Sequence, residues 1–308
     1  TDTLLNIESL QGSQHGDVLT GNTGANRLEG LGGNDTLDGG AGVDTMVGGD
    51  GSDIYYVDSA GDVVIETNAS VSGGVDMVYT ALATYALGAY VEHGLISTAV
   101  AANLTGNTLN NWMNAGSGDN VIDGGAGGDT ASYSRATAGV TLSLAINTGQ
   151  ATGGSGTDTL LNIENLQGSQ HGDVLTGNTG SNRLDGLGGN DILLGGAGRD
   201  TLTGGTGNDI FDFNALSDLG LGSTARDVIT DFTVGQDKMD LSTIDANTSL
   251  AGDQAFAFVT SFTASTPGQV RYDGGIVYLN TDADVDAEYE IALTGVVPAS
   301  LSASDFIL

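Results

Sequence analysis

The sequence contains no cysteine, so neither disulfides nor thiolate ligands can hold it together. Basic residues are nearly as scarce: 7 Lys and Arg stand against 39 Asp and Glu, for a net charge of −32. Such a chain repels itself and offers no basic surface to nucleic-acid phosphates. Residues 1–10 lack the basic-then-apolar order of an export leader. No run of about eighteen uncharged apolar residues marks a membrane span. Catalytic signatures are missing too. His15, His93 and His171 have no His-Glu-x-x-His neighbours, Gly-x-Ser-x-Gly does not occur, and the sole lysine, Lys238, follows no phosphate-binding glycine loop. The region is therefore not expected to be an enzyme.

What the chain has instead is glycine, 51 of 308 residues, more than twice the usual share of about 7%. The glycines are periodic. Thirteen copies of a nine-residue unit, Gly-Gly-x-Gly-x-Asp-x-apolar-x, occupy 12–56, 106–132 and 168–212 in runs of five, three and five. His15 and His171 take the same fourth turn position in two of these units, a mark of duplication. The first six residues of a unit must turn the chain while aiming carbonyls inward, through backbone angles that glycine adopts freely. A hard cation takes about six to eight oxygens at roughly 2.3–2.6 Å, and turn carbonyls plus a sixth-position carboxylate can supply them. The last three residues form a short strand whose middle residue (Leu19, Leu28, Leu37, Met46, Tyr55 in the first run) points inward.

Two units make one coil of 18 residues, so aspartates eighteen apart are expected to share ions. In the first run this places Asp17, Asp35 and Asp53 on one edge and Asn26 and Asp44 on the other. The second run gives Asp173, Asp191 and Asp209 against Asn182 and Asp200, and the short run gives Asp129 with Asn111 and Asn120. Counting on by eighteen extends these columns to Asp62, Asp218 and Asp227. Turn positions completing the sites are Gly30, Gly32, Gly33, Gly39, Ala41, Gly48 and Asp50, and then Gly186, Gly188, Gly189, Gly195, Ala197, Gly204 and Thr206. Asparagine offers a neutral oxygen and is expected to make weaker sites. Pairing alternate units gives at least about seven Ca2+ ions.

The nonapeptide resembles the RTX, or hemolysin-type, calcium-binding repeat of Gram-negative bacterial proteins. DVITDFTVGQDKMDLSTID (227–245) resembles the segment that follows the repeats in serralysin-type metallopeptidases. The resemblance implies an all-β chain: a right-handed parallel β-roll in two glycine-rich rolls joined by irregular β coils, with a C-terminal β cap. Expected segments are a first roll at 1–56, irregular coils at 57–105, a short repeat run with connecting strands at 106–167, a second roll at 168–232 and the cap at 233–308. Within 57–105, stretches such as DIYYVD and VDMVYTAL read as strand. Asp53 to Asp76 spans 23 residues, one coil enlarged by five. A separate inserted β-domain is the alternative there.

The resemblance also implies calcium-driven folding after export by type I secretion machinery, outside a Gram-negative cell. Asp305, Phe306, Ile307 and Leu308, one acid followed by three apolar residues, resemble the uncleaved export signal of that family. TDTLLNIESL at 1–10 recurs as TDTLLNIENL at 157–166, where further strand-like text precedes it. The chain is therefore expected to begin inside a larger parent, either a secreted hydrolase (metallopeptidase, lipase or polysaccharide-modifying enzyme) or an adhesin. A polysaccharide stacking on residues such as Tyr79, Tyr90 and Trp112 is a further candidate partner. Asp282, Asp284 and Asp286 alternate like the start of an EF-hand loop but lack its later glycine and glutamate, which makes them a weak extra site at most.

Overall fold

The computed structural model describes residues 7–67, 73–294 and 301–308; residues 1–6 of the duplicated opening phrase lie outside them. Every regular element described is a β-strand, apart from two three-residue 3-10 turns at Leu216–Asp218 and Ala303–Asp305. Contacts divide the chain into two units. One comprises Thr1–Ser132, Thr148–Ala151 and Ser155–Ile163, and the other Tyr133–Asn147, Thr152–Gly154 and Glu164–Leu308.

In the first unit the chain zigzags between two layers of parallel strands. One layer carries Val18–Thr20, Thr36–Asp38, Ile54–Val57, Met77–Thr80, His93–Ile96, Trp112–Asn114 and Thr130–Ser132, each parallel to the next. Alternating with them in sequence are Ser9–Gln11, Arg27–Gly32, Thr45–Asp50 and Val63–Ile65, a parallel group of the other layer. Thr84–Ala86, Ala102–Thr105, Asn120–Asp123 and Thr157–Leu161 form a second such group. The register is that of the repeat. Leu37 lies beside Leu19 and Tyr55, and Met46 beside Leu28, so each apolar eighth position stacks on its equivalent one coil away. Two-residue alternation turns these side chains inward, and Leu28, Leu37, Met46 and Tyr55 are 0% exposed. Leu19 is only half-buried, because its strand has a neighbour on one side alone among the described residues.

The second unit repeats the plan. Asn165–Gln167, Arg183–Asp185, Thr201–Thr203 and Asp227–Ile229 form one parallel layer. Thr141–Ser143, Val174–Thr176, Ile192–Leu194, Ile210–Asp212, Lys238–Asp240 and Phe306–Ile307 form the other. After the last coil the pattern changes. Tyr289–Leu293 pairs parallel to Asp227–Ile229, and Ile276–Asn280 and Gln269–Asp273 continue antiparallel beyond it. A final coil would otherwise leave its edge N–H and C=O groups unpaired, and this antiparallel addition covers them. Arg226 ties it to the roll through Glu290 at 2.7 Å, with both side chains largely buried. The all-β parallel roll expected from the repeat is the fold of this chain.

Because the eighth-position leucines are fully enclosed, Leu37→Ala and Leu193→Ala should each cost about 2–5 kcal/mol in denaturant unfolding at saturating calcium. Val18→Ala, at a side chain 77% exposed, should change stability by no more than about 0.5 kcal/mol. Equal losses at all three positions would overturn the assignment of the core.

Candidate metal centre

One hydrogen bond recurs from coil to coil. The Oδ1 of a sixth-position aspartate accepts the backbone N–H of the sixth-position residue one coil earlier. In the first run Asp17 N–H reaches Asp35 at 2.7 Å, Asp35 reaches Asp53 at 2.8 Å and Asn26 reaches Asp44 at 2.7 Å. In the second run Asp173 reaches Asp191 at 2.8 Å, Asp191 reaches Asp209 at 2.9 Å and Asn182 reaches Asp200 at 2.8 Å. Asn111 reaches Asp129 at 2.7 Å in the short run. With Oδ1 anchored, Oδ2 is aimed at the first glycine of the same turn. A Cβ on Gly30, Gly39, Gly48, Gly186, Gly195 or Gly204 would run into that oxygen, so the first position admits no side chain.

The second turn position decides what Oδ2 can do. In the GSQHGD turns Ser13 and Ser169 donate their N–H groups to Oδ2 of Asp17 and Asp173, both at 2.6 Å. These carboxylates close on their own turn. Where the second position has positive φ, the N–H points elsewhere: Gly40 (φ 73), Gly49 (φ 111), Gly196 (φ 84) and Gly205 (φ 95), and also Leu31 (φ 80) and Leu187 (φ 71). The left-handed region costs a bulky residue such as leucine about 1–2 kcal/mol, yet both copies of the repeat place one there. In the six turns containing these residues, Oδ2 of Asp35, Asp44, Asp53, Asp191, Asp200 and Asp209 is buried with no hydrogen-bond partner. A buried, unpaired carboxylate oxygen is among the costliest groups a protein can carry. Six of them at equivalent positions are what a cation site would present, and oxygen donors suit calcium.

At three of the four asparagine turns the sixth-position oxygen already has a partner. Oδ1 of Asn26, Asn111 and Asn182 accepts the N–H of Asn22, Asn107 and Asn178 in its own turn, at 2.7 to 2.8 Å. The amide of Asn182 then donates to the Glu164 carbonyl at 2.8 Å, and that of Asn111 to Val91 and Glu92, both at 3.1 Å. Asn120 donates to Ala102 at 3.0 Å and keeps a buried, unpaired Oδ1. An amide N–H thus joins neighbouring coils at these turns.

Turn carbonyls have other duties as well. The third-position carbonyls of Asp50 and Thr206 accept the N–H groups of Gly33 and Gly189 at 2.8 and 2.9 Å. Gly32 donates to the Ser13 carbonyl at 3.3 Å, and Gly188 bridges to Thr206. Ala41 is exposed, and Ala197 lines a shallow groove together with Asp218.

Counting by eighteen succeeds once and fails twice. Asp62 accepts Asp44 N–H at 3.0 Å, although its Oδ2 is taken by Asp58 and Ser59 N–H groups at 3.2 and 3.0 Å. Asp218 is not the next member of the Asp200 column. It ends a 3-10 turn and accepts Asn214 and Ala215 N–H groups, while Asp200 N–H reaches Asp227 at 2.7 Å, 27 residues on. Asp227 therefore lies in the Asp200 column and not the Asp209 column; Asp209 reaches Asp237 instead, at 3.0 Å. The 3-10 turn lengthens the coil by half its period, so a count of eighteen stops short of the partner. Asp76 accepts Asp53 N–H at 2.8 Å across the coil enlarged by five, whereas Asp158 and Asp237, 38 and 28 residues from their donors Asn120 and Asp209, are ladder members that the sequence reading does not reach.

Burial raises these carboxyls: Asp53 and Asp191 to about 7, Asp76 and Asp227 to about 8, and Asp200 to about 6, with the ladder hydrogen bond opposing the shift in each case.

A parallel β-roll whose turns present rows of buried acidic oxygens belongs to the class of calcium-binding repeat proteins, and comparison with known families agrees. The RTX calcium-binding nonapeptide repeat (4 copies) matches residues 11–46, 20–55 and 103–132. The family described as peptidase M10 serralysin C terminal matches residues 135–308, more than half of the chain. This chain belongs to the serralysin C-terminal family and carries RTX repeats. Among solved structures, the AlgE6R3 subunit of the Azotobacter vinelandii mannuronan C5-epimerase is 34% identical over 46% of this chain and 76% of its own, with a TM-score of 0.33. No curated protein matches the chain.

In the calcium-free protein, the stability these raised carboxyls contribute is full below the unfolded aspartate value of about 3.9. It is lost as pH rises through about 6 to 8. Calcium must displace the same protons, so the calcium midpoint followed by circular dichroism should rise as pH is lowered from about 8 to about 6. A midpoint independent of pH over that range would contradict the burial of these groups.

Proposed function

We propose that this chain is a calcium-dependent folding module of an exported protein, held loose by its own charge inside the cell and closed by calcium outside. The observation that carries the reading is the row of buried Oδ2 atoms at Asp35, Asp44, Asp53, Asp191, Asp200 and Asp209, joined by Asp227 where the second roll runs on. In the six glycine turns each atom lies against the first glycine of its own turn, where a cation would also meet turn oxygens, and this is where we place the ions. A site held at about ten times its dissociation constant would add about 1.4 kcal/mol to folding. At calcium far below that constant the contribution vanishes, while the repulsion of a −32 chain remains.

Export by type I machinery accords with family membership and with the chain's last residues. Phe306 is buried against Phe258, with ring centroids 5.4 Å apart, and Asp305 accepts Gly235 N–H at 3.0 Å and Ser302 N–H at 2.8 Å. Asp305, Phe306, Ile307 and Leu308 would be legible to an exporter only before the cap forms. The module binds cations and does no chemistry of its own; catalytic or adhesive activity would belong to the parent protein.

Circular dichroism with excess chelator should show a largely disordered chain that gains β-structure on adding calcium. A β-rich spectrum in chelator would remove the switch. Asp35→Asn, which alters an open turn, should raise the calcium midpoint more than Asp17→Asn, which alters a closed one.

A further inference from the structure

At the end of the first repeat run, Asp53 of the last unit and Glu66 and Asp76 beyond it each bring a carboxylate oxygen within 4.8 Å of the other two. Their exposures are 1%, 6% and 1%, and Oδ2 of Asp53 and Oε2 of Glu66 are buried with no hydrogen-bond partner. The ion pairs among the described residues, Arg27–Glu29, Arg226–Glu290 and Arg271–Asp273, lie elsewhere and neutralise none of this charge.

The sequence frame explains how the cluster arises. In the regular coils each first-position glycine faces the carbonyl of the first-position glycine one coil on: Gly12 faces Gly30, Gly30 faces Gly48, Gly168 faces Gly186 and Gly186 faces Gly204. Eighteen residues after Gly48 stands Glu66. At Gly48 the neighbouring oxygen is the Glu66 side-chain Oε1, held by the Tyr55 hydroxyl, which donates to it. Asp76 closes the group from the following coil, its Oδ1 accepting Asp53 N–H at 2.8 Å. Where the glycines stop, a charged oxygen therefore stands in the place of a neutral carbonyl.

We propose that Asp53, Glu66 and Asp76 hold a divalent cation of the calcium class at the end of the first repeat run, more tightly than the repeat turns hold theirs. The inference rests on the reading of the repeats through Asp53 alone. Oxygens on opposite sides of a calcium ion lie up to about 5 Å apart, so the observed spacing fits one coordination sphere, and added carboxylate charge raises calcium affinity.

The test is a count of bound calcium by native mass spectrometry, with a calcium titration, on the full chain and on Glu66→Gln, Asp76→Asn and Tyr55→Phe. Both carboxylate variants should bind one ion fewer and lose the tightest binding step, whereas Tyr55→Phe, which removes a hydrogen bond but no ligand, should keep the count. An unchanged count and tightest step in Glu66→Gln, with calcium still taken up, overturns this inference alone. A wild-type chain that takes up no calcium overturns the repeat reading as well. If the carboxylate variants do not fold, terbium added to the unaltered chain decides. The first equivalent should give tyrosine-sensitised emission because Tyr55 touches Glu66, and a dark first equivalent overturns the assignment.

Discussion

The structure depends on one hydrogen bond, from the backbone N–H of a sixth-position residue to the Oδ1 of the aspartate one coil further along. It sets the spacing between turns and fixes the rotamer of each carboxylate. It also forces the second oxygen to face protein, not water. An ionised carboxylate would ordinarily avoid that placement, because desolvation costs more than a single hydrogen bond returns. The roll accepts the cost at position after position, from Asp35 to Asp227. The β-sheet and the apolar rows of Leu37, Leu193 and their neighbours supply the cohesion that makes this tolerable.

Most of the architecture could be read from the sequence because the repeat is written in every unit. The glycine frame gave coil length, the apolar eighth position gave the core, and the sixth position gave the ladder. Counting failed where the chain departs from nine-residue spacing. The 3-10 turn Leu216–Asp218 moved the partner of Asp200 to Asp227, and enlarged coils hid Asp158 and Asp237. Nor does residue identity alone tell an open turn from a closed one. Asp17 and Asp35 occupy equivalent positions, but the N–H of Ser13 satisfies the first, whereas Leu31 turns its N–H away from the second. The clue was present in the second-position residue, serine or asparagine against glycine or leucine. Its meaning needed the backbone angle.

Glu66 shows the same principle from the other side. Continuing the frame past the last glycine unit reaches it by simple arithmetic, yet a glutamate at a glycine position looks like the end of the pattern. In the fold it extends the pattern by substituting a side-chain oxygen for a backbone one. Departure from a motif can therefore mark a specialised member of the series as readily as its termination.

The order of the two turn types within each run gives the roll a direction. Both five-unit runs open with two turns that satisfy themselves, at Asp17 and Asn26 and at Asp173 and Asn182, and continue with three that do not. On the proposed reading, a seed that needs nothing from the medium precedes a stretch that does. Closure along each run would proceed one way, like a zip fastener whose slider is already engaged at one end.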